Sequence, residues 1–108
     1  MDKELYKLHA EICKTLSNPT RLEILNLLRD KELSVSNLIN KTKLSQANIS
    51  QHLSIMKAKG IVDSRREGKQ IYYYIVNKKI VKAFDIMREV MSEKLKRENK
   101  IIVKSLRK

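Results

Sequence analysis

Tryptophan is absent from this 108-residue chain, cysteine and proline occur once each, and glycine occurs twice. Two glycines, Gly60 and Gly68, cannot build a phosphate-cradling loop or a dinucleotide fingerprint, both of which need closely spaced glycines opening a helix. A lone cysteine, Cys13, excludes an intrachain disulfide and points to a reducing compartment. The longest apolar run, Ile71 to Val76, falls far short of the roughly 18 residues a membrane span needs. Met1-Asp2-Lys3-Glu4 lacks the apolar stretch of a signal peptide, so a cytoplasmic location is expected. Cys13 with His9 or His52 makes no nucleophile–base pair without a third, orienting group, and no enzyme or cofactor is expected.

What is abundant is positive charge. The formal balance is +12, and it is unevenly spread. Residues 1–35 carry six basic and six acidic side chains, whereas residues 57–82 carry eight basic and two acidic, and residues 94–108 seven basic and one acidic. Charge gathered into two stretches is the footprint of a polyanion partner, although a solubilising surface accounts for the same total.

The few helix breakers fall at boundaries. Asn18-Pro19 reads as a helix start, because proline suits the first helical position and the asparagine side chain caps free amides. Leu5, Leu8, Ile12 and Leu16 recur at helical spacing before it, predicting a first helix over about 3–16. A second, over about 19–30, is apolar on most sides (Leu22, Ile24, Leu25, Leu27, Leu28) and belongs at the centre of the core. Ser34 and Ser45 are capping residues ahead of a short third helix ending near Lys41 and a fourth over about 46–59. After Gly60 the period changes to two: residues 61–66 and 70–76 read as the arms of a hairpin turning at Gly68. A final helix begins near Asn77, with Ile80, Phe84, Met87, Val90, Met91 and Leu95 as its apolar stripe. Ile102 and Leu106 continue that spacing into a basic tail, residues 100–108, that either lengthens the helix or lies on nucleic acid.

Two short helices followed by a basic hairpin is the order of a winged helix-turn-helix, ααααββα, with helix-turn-helix over 34–59 and wing over 61–76. The fourth helix turns Ile49, Leu53 and Met56 inward and presents Gln46, Ala47, Ser50, Gln51 and Ser54 outward, with His52 on its flank. Lysine and glutamate would serve mere solubility better, whereas short amide and hydroxyl side chains suit base edges in a major groove. Ser45, Lys43 and Lys57 around that helix, with Arg65, Arg66 and Lys69 on the wing, are candidate phosphate contacts. Leu5, Leu8, Ile12, Phe84, Met87 and Met91 supply more apolar stripe than one small core can bury, so a homodimer through the first and last helices is expected. The whole chain then reads as one domain, its dimerisation helices over 1–16 and 78–100.

At these residues the chain resembles the ArsR family of winged helix-turn-helix repressors, over roughly residues 8–95. The matching stretches are residues 16–25 (Leu-Ser-Asn-Pro-Thr-Arg-Leu-Glu-Ile-Leu), residues 44–53 (Leu-Ser-Gln-Ala-Asn-Ile-Ser-Gln-His-Leu), and residues 65–70 (Arg-Arg-Glu-Gly-Lys-Gln) leading into Tyr72-Tyr73. The resemblance implies a dimer that places two recognition helices in successive major grooves of a pseudo-palindromic operator. It also implies that Gln46, Ala47, Ser50 and Gln51 approach bases and that Arg21 is mainly structural.

The chain departs from the family at both of its recurring metal sites. Ser34-Val35-Ser36 stands where a Cys-Val-Cys would, and serine is a poor ligand for soft metals. Asn77-Lys78-Lys79 and Val90-Met91-Ser92-Glu93 replace most of the other ligand set, so no metal is expected. Lys43 stands where many relatives have glycine in the turn. Cys13 is left as a candidate redox sensor, against a simple packing role that its place beside an apolar stripe favours. Tyr72, Tyr73 and Tyr74 suit hairpin packing better than base stacking. Two rival readings of function stand beside a regulator binding duplex DNA: a nonspecific DNA- or RNA-binding protein using the wing and tail, and a protein-interaction module on a degenerate winged fold.

Overall fold

The computed structural model describes residues 2–99; the basic tail 100–108, with Ile102 and Leu106, lies outside the described residues. The elements run α1 (Lys3–Thr15), α2 (Pro19–Leu27), β1 (Leu33–Ser34), α3 (Val35–Thr42), α4 (Gln46–Ala58), β2 (Val62–Glu67), β3 (Gln70–Ile75) and α5 (Lys79–Glu98). The chain divides after Asn77 into two compact units, the second containing α5.

The helix starts are set by side chains that satisfy otherwise orphaned amides. Asn18 Oδ1 accepts from the backbone of Thr20 and Arg21, at 2.9 and 3.1 Å. Ser34 and Asn37 form a reciprocal capping box, with Ser34 Oγ accepting from Asn37 N and Asn37 Oδ1 accepting from Ser34 N, both at 3.1 Å. Ser45 Oγ accepts from Asn48 N at 3.2 Å. α4 stops at Gly60, which takes φ +73° while Ile61 N donates to Met56 O and Gly60 N to Lys57 O, each at 3.0 Å. That pair of bonds is the left-handed helix ending for which glycine is favoured.

Two expectations are corrected. The second helix is shorter than its apolar pattern suggests: it ends at Leu27, where Leu28 N still bonds to Ile24 O at 3.0 Å but Arg29 N turns to Asn26 O at 3.2 Å. The final helix begins two residues later than Asn77. A further element was not expected at all. Leu33 and Ser34 pair antiparallel with Tyr73 and Tyr72, making a three-stranded sheet of order β1-β3-β2.

The core of the first unit is built from Leu16, Ile24, Leu28, Leu38, Ile49, Leu53, Met56 and Val62, all essentially inaccessible. α4 packs against α2, α3 and β2, so its inner stripe is held from three directions and its outer side is left to solvent. Within the second unit Val81 is buried, Ile80 and Phe84 are half-buried, and the last three turns are exposed throughout. No helix among the described residues is long and apolar enough to cross a membrane.

Candidate nucleic-acid interface

Three residues, Lys43 to Ser45, join α3 to α4. Lys43 caps α3 in the left-handed region, φ +63° and ψ +17°, with its amide bonded to Ile39 O at 2.8 Å. Thr42 locks the turn on the other side, donating from Oγ1 to Leu38 O at 2.7 Å and accepting from Leu44 N at 3.2 Å. A lysine in this conformation carries a Cβ that a glycine would not, so the turn is mildly strained.

Beyond the turn, Gln46, Ala47, Ser50, Gln51 and Ser54 are all exposed along one side of α4, while Ile49, Leu53 and Met56 are fully buried on the other. The expected outer face is therefore open. Lys43 and Ser45 are exposed at the N-terminal end of this helix. Lys57, near its C-terminal end, reaches the base of the wing instead, donating to Ser64 Oγ at 2.8 Å and lying 3.9 Å from Asp63 Oδ1.

His52 sits on the flank, partly buried, and its Nδ1 accepts from Arg21 Nε at 3.2 Å. Burial first, and the charge of Arg21 second, hold its pKa below the ordinary histidine value. Arg21 also donates from Nη1 to Thr15 O at 3.0 Å, so one side chain joins α1, α2 and α4.

The wing turns through Gly68, at φ +62°, and Lys69, with Glu67 opposite Gln70. Strand pairing sorts its side chains. Val62 pairs with Ile75, Ser64 with Tyr73 and Arg66 with Ile71 on one face; Arg65 pairs with Tyr72 on the other. Among the described residues Arg66 and Lys69 have no ion-pair partner. Arg65 is engaged: its Nε donates to Glu32 at 2.7 Å, its Nη1 to Glu67 at 2.8 Å, and its guanidinium lies 4.9 Å from the Tyr72 ring centre. Hydrogen bonds to Glu67 and then Glu32 hold its pKa above the usual arginine value. Glu32 escapes sequence reasoning, since nothing local to it signals a partner 33 residues away. All three tyrosines, 72–74, are half-buried in the hairpin.

The apolar candidates outside the core lie on α1 and α5. Leu5 and Leu8 are about half exposed and Ile12 is half-buried on α1; Met87 and Met91 are about half exposed on α5, joined by Ile86, which sequence spacing did not single out. Cys13 is a free, half-buried thiol. Ser34 is buried, and its hydroxyl is used within the α3 capping box, where it also donates to Asn37 Oδ1 at 2.9 Å.

Comparison with known proteins is consistent across sequence and structure. The model of the bacterial regulatory protein, arsR family, matches residues 18–64. An uncharacterized HTH-type transcriptional regulator of Mycobacterium tuberculosis, Rv0081, is 37% identical over 84% of this chain and 81% of its own. Its crystal structure covers 90% of this chain and 98% of that one, at 35% identity and a TM-score of 0.79. The transcriptional repressor PagR of Bacillus anthracis is 43% identical over 66% of this chain and 72% of its own. The solution structure of the homodimeric winged helix-turn-helix DNA-binding domain of Mb0332 from Mycobacterium bovis, a possible ArsR-family transcriptional regulator, aligns over 87% of each chain, at 32% identity and a TM-score of 0.78.

Proposed function

Because this chain belongs to the ArsR family of bacterial regulatory proteins, we propose that it is a transcriptional repressor that binds a pseudo-palindromic operator in duplex DNA as a homodimer. The observation that carries this reading is the open neutral-polar side of α4, with the fully buried stripe opposite it. Gln46 and Gln51 offer amides that pair bidentately with adenine, Ser50 and Ser54 are permissive donors and acceptors, and Ala47 allows close approach. Ser45 and Lys43 at the helix start, with Arg66 and Lys69 on the wing, meet phosphates and fix the register. Lys57 joins them once its contact with Ser64 is exchanged for a phosphate.

Dimerisation is the second half of the proposal. Leu5, Leu8 and Ile12 on α1 and Phe84, Met87 and Met91 on α5 form the interface; a homodimeric relative of the same fold supports it. Repression follows from occupancy of the operator, which excludes polymerase; two repressors among the relatives support that sign, while another relative, HlyU of Vibrio cholerae, is a transcriptional activator.

The test is a gel shift comparing the duplex upstream of the protein's own gene with random duplex at about 150 mM salt, where specific binding is typically at least ~10³-fold tighter than nonspecific binding. Equal affinity for the two removes the sequence-specific claim. Preference for single strands supports the nonspecific nucleic-acid reading instead. A protein-interaction module would bind neither, and would work unchanged with Arg66 and Lys69 replaced by alanine.

A further inference from the structure

We propose that Arg65 is a positioning residue that holds the wing in its DNA-binding pose without itself touching DNA, leaving Arg66 as the arginine that does. This rests on the DNA-binding reading above. The two arginines are neighbours in sequence, but strand alternation sends them to opposite faces of the sheet.

Arg66 shares its face with Ser64 and Val62. Val62 and its partner Ile75 are buried in the core, and Ser64 accepts from Lys57 of α4, so this is the face turned towards the recognition helix. Arg66 lies farther out along it, exposed, opposite the exposed Ile71.

Arg65 shares its face with Tyr72 and Glu67. In the order β1-β3-β2 its strand is one edge of the sheet, and Glu32 immediately precedes the strand at the other edge. The Arg65 side chain leaves β2, places its guanidinium by the Tyr72 ring of β3, and bonds the carboxylate of Glu32 just before β1, so the Arg65–Glu32 pair links the two edges of the sheet. With Glu67 as the third member, the trio carries one positive and two negative charges. A net negative cluster repels phosphate, so the arrangement suits a clasp and not a DNA contact. Arginine is required because only its planar fork donates in two directions while stacking on a ring.

Two measurements on the full-length protein test this. The first needs no DNA. Hydrogen exchange at the β2–β3 amides should quicken roughly threefold in Arg65→Gln and in Glu32→Gln, because an exposed ionic network contributes modestly to local stability, and should stay unchanged in Arg66→Gln. Arg65→Lys should behave like Arg65→Gln. Unchanged hairpin exchange in Arg65→Gln overturns the clasp.

The second is operator affinity against salt. Arg65→Gln should weaken binding roughly threefold with the slope of log K against log salt retained. Arg66→Gln should flatten that slope by about 0.9 for each phosphate it no longer neutralises. Glu32→Gln should also weaken binding, although it removes a negative charge from the protein. A flattened slope in Arg65→Gln, or tighter binding by Glu32→Gln, makes Arg65 a phosphate contact and overturns the proposal. Failure of the wild-type protein to bind duplex DNA removes the function proposed above and with it Arg65's role in DNA binding; the exchange arm then decides only whether the clasp itself exists.

Discussion

Arg21 of α2 donates from Nε to Nδ1 of His52 on α4, across 3.2 Å, while its Nη1 holds the last carbonyl of α1. A neutral imidazole is needed for this bond, because a protonated one has no acceptor nitrogen. α4 is thus tied to α1 and α2 through one side chain.

The first expectation concerns pH. His52 has its pKa lowered in the folded state, so the unfolded chain binds the proton more readily. Its stabilising effect is then complete above the unfolded value near 6.5 and is lost as pH falls through the lower folded value. Urea midpoints of wild type and His52→Gln should converge as pH drops from 7 towards 5; parallel curves would refute the linkage.

Replacing Lys43 tests the strained turn. Lys43→Gly should raise stability by roughly 0.5–1 kcal/mol in chemical denaturation, because the left-handed conformation disfavours a Cβ, less the extra chain entropy glycine brings to the unfolded state. A loss of stability would show that the turn is not strained. Operator affinity measured on the same variant reads the phosphate role of this lysine separately.

The polar side of α4 should carry sequence discrimination. Gln46→Ala combined with Gln51→Ala is expected to lower the operator-to-random affinity ratio by about 30-fold or more, since two bidentate contacts at ~1–3 kcal/mol each sum to at least ~2 kcal/mol, leaving random-duplex binding nearly unchanged. An unaltered ratio in gel shifts would move base reading to other residues.

For the interface, light scattering at micromolar concentration should give twice the chain mass. Leu8→Glu or Met91→Glu should shift it to one chain mass, since a carboxylate buried without a partner opposes association. A monomeric wild type would contradict the proposed assembly.

Cys13 should prove inert. Wild-type operator affinity is expected to be the same with and without a thiol oxidant, as in Cys13→Ala, and that substitution should cost about 1 kcal/mol or less of stability at a half-buried site. An oxidant effect on wild type that disappears in the variant would make the thiol a sensor.

Most of the fold was written locally. Asn18, Ser34 and Ser45 satisfy amides within three residues of themselves, Gly60 ends its helix over a single turn, and the hairpin follows from a period of two broken at Gly68; such features act over a few residues and can be read from them. The inner and outer sides of α4 were equally legible, because helical periodicity alone separates Ile49, Leu53 and Met56 from Gln46, Ser50 and Gln51. Tertiary structure decided the rest. The strand β1 consists of two residues with no pattern of their own, and it exists because Tyr72 and Tyr73, far along the chain, offer it a ladder. Alternation says that Arg65 and Arg66 point oppositely, but only pairing of Val62 with Ile75 against a core assembled from α2, α3 and α4 determines which one shares the face turned to α4. Charge reads alike at both positions in the sequence, and it is the distant carboxylate of Glu32 that makes them different.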